Sequence, residues 1–199
     1  MAVEPTDFNF LDEISSSKKV ILLIDESHSL GLTGSEGEGI FHTISHSCIS
    51  QKIMVSSLTK AYGCSGGVIA GDEKLIKNIK KNAVFISASG MNPIFLQTLV
   101  NAREILKEQL TKLRQNLEFF HTEGVLSPLF QYTKNYPVIY CHSNDIFEYL
   151  KSKAIIITNF KYPNYDFMMN RIVITANHTE ADLKKLNEAL IEFQKETLH

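Results

Sequence analysis

Apolar runs and helical stripes follow one another along this chain in an order that predicts an α/β protein in two parts. Val20-Ile21-Leu22-Leu23-Ile24 is a continuous apolar run. Such a run suits a strand buried on both faces, as in a parallel sheet. It stops at Asp25-Glu26, and a loop punctuated by Gly31, Gly34, Gly37 and Gly39 follows. Ile53–Ser57, Gly67–Gly71 and Val84–Ser87 read as further strands, and Phe8–Ser17 as a short helix ahead of the first. Asp72 is placed to cap a helix over Glu73–Lys81. Asn92-Pro93 opens a long helix, with asparagine as cap and proline at the first position. Leu99, Leu106, Leu110, Leu113, Leu117 and Phe120 keep helical spacing along it, and Gly124 is its expected stop.

That helix, over residues 93–123, is too long for one small domain and is expected to connect two. Beyond it, Val138–Cys141, Ile155–Thr158 and Arg171–Thr175 read as strands, with a helix over Asp145–Lys151. Thr179-Glu180-Ala181-Asp182 has the spacing of a capping box. It opens a last helix whose buried stripe is Leu183, Leu186, Leu190 and Phe193. The expectation is part of a mostly parallel sheet over residues 1–105, followed by a small α+β domain over 106–199.

Composition narrows the function classes. Of 199 residues, 44% are apolar and 21% charged, which is ordinary for a globular protein. A net charge of -2 and the lack of a basic stripe with interleaved aromatics argue against nucleic-acid binding. Lys74, Lys77, Lys80 and Lys81 are spaced as the wet face of a helix. Three scattered cysteines, Cys48, Cys64 and Cys141, make no disulfide framework and suggest a reducing compartment. The acidic N-terminus has no signal-peptide pattern and no apolar run reaches membrane-spanning length, so a cytoplasmic protein is expected.

The candidate chemistry clusters where strands end. Asp25 closes the first buried strand, and ligands in open α/β sheets bind at that edge. His28 follows three residues later. Lys60 lies just past the strand Ile53–Ser57, in SSLTKAYGCSGG, among Ser56, Ser57 and Thr59 and ahead of Gly63, Gly66 and Gly67. Hydroxyls and backbone N–H groups in such a loop can cradle an anion. A lysine beside a phosphate cradle, near an edge bearing an aspartate, is the layout expected for pyridoxal 5'-phosphate (PLP). No glycine precedes Lys60 as a P-loop requires, and the glycines at 31, 34, 37 and 39 do not match a dinucleotide-binding turn. His42 and His46, with Cys48 nearby, lack the accompanying ligands of a metal site, and none is expected. Cys64 shows no sign of special reactivity in the sequence.

DESHSLGLTGSEGEG, SSLTKAYGCSGG and RIVITANHTEADL, in that order, resemble the α-oxoamine synthase family of fold-type I PLP enzymes. The resemblance implies that Lys60 carries the cofactor and moves protons. Asp25 would pair with the pyridine nitrogen, His28 would assist acyl transfer, and Ser57 would bind the phosphate. Arg171 would grip the substrate carboxylate, its planar fork suiting a two-pronged contact. Ser87 or Ser89, in FISASGMNP, would reach the phosphate of a partner subunit in a homodimer. The implied substrates are an amino acid and an acyl-CoA. Family enzymes are about twice this long, so the resemblance implies a fragment, a truncated reading frame or one piece of a split enzyme, with a complementing N-terminal half as a candidate partner. An aminotransferase and a non-catalytic subunit are the other classes considered.

Overall fold

The computed structural model describes residues 6–123, 128–163 and 166–197, and the expected helix stop at Gly124 lies outside them. The chain divides inside its longest helix into two compact units, Asp7–Leu110 and the residues from Thr111 onward.

In the first unit, Val20–Asp25 forms β1, Ile49–Ser57 forms β2 and Gly67–Gly71 forms β3, in the spatial order β1-β2-β3. β1 and β2 run parallel, with Leu23 opposite Ile53 and Asp25 opposite Val55. β3 returns antiparallel, with Ile69 opposite Val55. Asp25 and Ser57 therefore end neighbouring parallel strands, and the Lys60 loop leaves from the same edge.

One face of β1 is core. Ile24 is buried with Leu11, Ile44 and Cys48, and Leu22 packs against them. Leu11 comes from a 3-10 turn at Asn9–Glu13, shorter than the predicted helix over 8–17. The other face is bare, with Ile21 61% and Leu23 63% exposed. The expectation of a strand buried on both faces is corrected accordingly: in β1 the side that bears Ile21 and Leu23 stands exposed. Side chains alternate along strands, so Ile21, Leu23 and Asp25 share that face with Val55 and Ile69. Threonine at 21 and 23 is expected to shift stability by no more than about 0.5 kcal/mol, as at other exposed sites. A fall in the urea midpoint worth more than about 2 kcal/mol would mean that the face is covered in the free protein.

The rest of this unit is helical. Glu73–Lys80 forms α1, although the side chain of Asp72 makes no cap bond to it. Val84–Ser87 is not a strand but part of a short helix, α2, over Ala83–Ser87. A brief apolar run fits either state; here the Asn82 side chain accepts the Val84 N–H at 2.9 Å and starts a helical turn. Pro93–Asn101 forms α3, capped as expected by Asn92, whose side chain accepts the Ile94 N–H at 2.9 Å. The single long helix predicted over 93–123 is broken at Ala102, where ψ is 5°, and resumes as α4 over Arg103–Glu123. In the preceding turn the Thr98 hydroxyl donates back to the Ile94 carbonyl at 2.8 Å, a bond that tends to bend helices.

The second unit carries Phe130–Tyr132 (β4), Val138–Cys141 (β5), Thr158–Phe160 (β6) and Met169–Val173 (β7). They form an antiparallel sheet in the order β4-β5-β7-β6, packed with α5 (Ile146–Ser152) and α6 (Glu180–Thr197) as the expected α+β domain. Phe120, Ile139 and Leu150 are fully enclosed, and Leu117, Leu183 and Leu190 nearly so. Thr179 and Asp182 form the predicted box: the Asp182 carboxylate accepts the Thr179 N–H at 2.8 Å and Thr179 Oγ1 accepts the Asp182 N–H at 3.2 Å.

In this unit three strands differ from expectation, and in the first unit β2 begins at Ile49, ahead of the expected Ile53. β4 had no prediction. The strand placed at Ile155–Thr158 starts later, because α5 ends in a Schellman motif. Ala154 takes φ 58° and the Ile155 N–H bonds the Leu150 carbonyl at 2.9 Å, so Ile155 serves the helix end. The strand placed at Arg171–Thr175 starts earlier, at Met169, because polar Asn170 is buried within it. Asn170 is satisfied there by the Ser143 carbonyl at 2.8 Å and the Asn159 amide at 2.7 Å. Among the described residues, no helix is long and apolar enough to cross a membrane.

Candidate functional site

Asp25 is the last residue of β1, and its Oδ1 accepts the Ser27 N–H at 2.8 Å. Bonds from the Ser27 side chain and then its backbone hold the carboxyl below its ordinary value of 3.8; slight burial opposes them, and Lys60 and His28 add smaller pulls. Lys60 and His28 are thus both within electrostatic reach of Asp25.

The two loops are stitched together by a residue that the sequence reading passed over. Ser27 Oγ accepts the Ser57 N–H at 2.9 Å. Ser57 Oγ in turn lies 2.7 Å from Thr59 Oγ1 and accepts the Thr59 N–H at 3.2 Å. Ser56, by contrast, is buried and unavailable to a ligand. The D-x-S spacing of residues 25–27 is that of an Asx turn, which is the signal that could have found Ser27. Lys60 is exposed, and its loop closes through the Gly63 N–H to the Lys60 carbonyl at 3.1 Å and the Leu58 N–H to the Gly66 carbonyl at 3.0 Å. A side chain at Gly63 would meet nothing within 4 Å, so the space beside the lysine loop is open. An amine, a carboxylate and a pair of hydroxyls at one strand edge are the donor set that PLP needs for its aldehyde, ring nitrogen and phosphate. These residues fit the group.

Ser87 and Ser89 lie apart from this network. The Ser87 hydroxyl donates to the Ala83 carbonyl of its own helix, and Ser89 is exposed beyond the end of α2. Among the described residues, no hydrogen bond joins either to Asp25, Ser57 or Lys60. Cys64 donates to the Phe95 carbonyl at 3.7 Å. His46 is taken up by Cys48 Sγ at 2.9 Å and Asp12 at 3.1 Å, and among the described residues no group of three or more His, Cys, Asp or Glu could hold a metal ion.

Arg171 belongs to the second unit. It stands mid-strand in β7, with Tyr140 and Thr158 directly across on β5 and β6. Its guanidinium lies 5.5 Å from the centre of the Phe160 ring and hydrogen-bonds the Tyr140 hydroxyl, while its Nε is buried without a partner among the described residues. Burial first, against the pull of Arg171, raises the Tyr140 phenol above its ordinary value.

Comparison with known proteins agrees with the fold and places the chain among them. A family model for aminotransferase class I and II matches residues 5–190. An 8-amino-7-oxononanoate synthase of Fervidobacterium nodosum is 29% identical over 92% of this chain and 48% of its own length. Long chain base biosynthesis protein 2a of Oryza sativa subsp. japonica is 27% identical over 84% of this chain and 38% of its own. Among solved structures, 8-amino-7-oxononanoate synthase of Francisella tularensis superposes with a TM-score of 0.67 at 23% identity, over 89% of this chain and 56% of that one. A serine palmitoyltransferase of Sphingomonas wittichii gives 0.69 at 15% identity, over 89% and 48%. The chain spans about half the length of the relatives it matches.

Proposed function

The chain belongs to the aminotransferase class I and II family, and from that premise we propose that it is the C-terminal portion of a PLP-dependent acyltransferase condensing an α-amino acid with an acyl-CoA. The observation that carries the proposal is the joining of the Asp25–His28 loop to the Ser57–Lys60 loop through Ser27, at one edge of a sheet.

PLP, the cofactor of this family, supplies the electron sink that makes the amino acid's α-carbon nucleophilic. Lys60 would hold the cofactor and would carry the proton at the amino acid's α-carbon. Asp25, whose carboxyl is held below its ordinary value, would accept from the N–H of the cofactor's ring nitrogen. Ser57, with Thr59 beside it, would hold the phosphate. His28 polarises the thioester carbonyl, and Arg171 orients the amino acid's carboxylate. Ser87 or Ser89 serves the phosphate of the second subunit in a homodimer, and the protein is cytoplasmic. The bare face of β1 supports a complementing N-terminal half, because Ile21 and Leu23 lie exposed on the side of the sheet that bears Asp25.

Amino-acid-dependent release of CoA thiol from acyl-CoAs, followed with PLP present, tests the assignment. Release that requires the amino acid and PLP and falls in His28→Ala supports it. Keto-acid formation without thiol release would move the protein to the aminotransferases. Neither reaction, with no cofactor uptake, would favour a non-catalytic subunit.

A further inference from the structure

Glu26 is fully buried, yet no step proposed above uses it. A carboxylate is removed from water at heavy cost unless donors replace its hydration. Here three do. Glu26 Oε2 accepts the Ile40 N–H at 2.9 Å and the Ser29 hydroxyl at 2.7 Å, and Oε1 accepts the Phe41 N–H at 2.5 Å. The two N–H groups are consecutive and lie 14 and 15 residues away in sequence, so the carboxylate closes the whole glycine-punctuated loop.

The backbone of Glu26 is equally committed. Its N–H extends the ladder to the Val55 carbonyl at 2.8 Å, and its carbonyl accepts the Ser29 and Leu30 N–H groups at 3.0 and 2.9 Å. The loop is shaped around the carboxylate. Gly39 has φ 79°, and a Cβ there would fall 2.0 Å from Glu26 Oε2, so a glycine is required on both counts. Residue 26 is therefore fixed at every polar atom, and its two neighbours are Asp25 and Ser27.

We infer that Glu26 is a positioning residue: its buried carboxylate is the anchor that holds Asp25 in its Asx turn and, through Ser27, holds the Ser57–Lys60 loop beside it. The functional consequence rests on the reading of Asp25 and Lys60 as cofactor groups; the anchoring itself does not.

A loop staple with no influence on the site would leave the Asp25–Ser27–Ser57 bonds alone, so those bonds are the readout. The experiment uses the cofactor-free chain and follows two quantities by NMR: amide exchange of Ser57 at neutral pH, and the titration midpoint of the Asp25 carboxyl. The groups that face Asp25 are Ser27, Lys60 and His28, and none is altered. Glu26→Gln keeps the size but sets an NH2 against one of the backbone donors. Ser29→Ala removes one donor and leaves the carboxylate. Leu11→Ala, in the core under β1, is the control for loss of packing.

The inference predicts that Glu26→Gln raises the Asp25 midpoint to about the ordinary 3.8 and speeds Ser57 exchange at least tenfold. Ser29→Ala moves both in the same direction by less, and Leu11→Ala leaves the midpoint in place. Unchanged Asp25 and Ser57 in the folded Glu26 and Ser29 variants would overturn it, as would an equal response in Leu11→Ala. If Glu26→Gln does not fold, Ser29→Ala against Leu11→Ala decides. Failure of Lys60 to take up PLP would refute the functional reading and leave these outcomes untouched.

Discussion

Replacing Lys60 by alanine is expected to abolish, not merely weaken, the visible absorption of lysine-bound PLP. Among the described residues of the candidate site, Lys60 carries the one primary amine, and the groups around it are proposed to serve other parts of the cofactor. Asp25 accepts and cannot condense with an aldehyde; Ser57 and Thr59 present hydroxyls suited to a phosphate. Other lysines have amines but none of this setting. Lys77 on α1 is paired with Glu73 at 2.6 Å, and Lys52 donates to the Phe41 and Ile44 carbonyls. Absorption titrations of the wild-type and Lys60→Ala chains with PLP check the prediction. A band of equal strength in the variant would remove Lys60 from the site.

The largest stability effect is expected at Phe120. Its side chain is wholly enclosed near the end of α4 and is the bulkiest of the fully buried residues. Truncation to alanine removes apolar contact and leaves a cavity that a packed core refills only in part, for about 3–5 kcal/mol. Domains are stable by about 5–15 kcal/mol, so the substitution takes roughly a fifth or more of what holds the second unit. Urea unfolding followed by far-UV dichroism measures it. A loss below about 1 kcal/mol would mean that the packing of α4 against the second unit is not as described.

The sequence was most legible where a local signal has one outcome. Asn92-Pro93 starts α3, Thr179 and Asp182 cap α6, and Leu113, Leu117 and Phe120 face a core, because caps and helical stripes act within a few residues. The strand ends that carry Asp25 and Ser57 were readable for the same reason. Legibility failed where the outcome depends on distant partners. The run Val20–Ile24 shows that β1 is apolar on both sides but not which side this chain covers, and Ile21 and Leu23 stand open. Val84–Ser87 is short enough for either state, and the Asn82 cap tipped it to helix. Asn170 hid the start of β7, since a polar residue breaks an apolar pattern even when the fold satisfies it.

The candidate site divides in the same way. Lys60, Asp25 and His28, the groups proposed to carry the chemistry, stand out by residue type in their motifs. Ser27 and Glu26 matter through bonds to Ser57, Ile40 and Phe41, which only the folded loop brings near. Arg171 was visible, but the ring of Phe160 and the Tyr140 hydroxyl that hold it come from other strands.

The most direct test of the account is to incubate the chain with PLP, reduce with borohydride, digest, and locate the modified lysine by mass spectrometry. The account predicts a single pyridoxyl label on Lys60. Label spread over surface lysines such as Lys74 and Lys80, with Lys60 no more modified than they are, would contradict it.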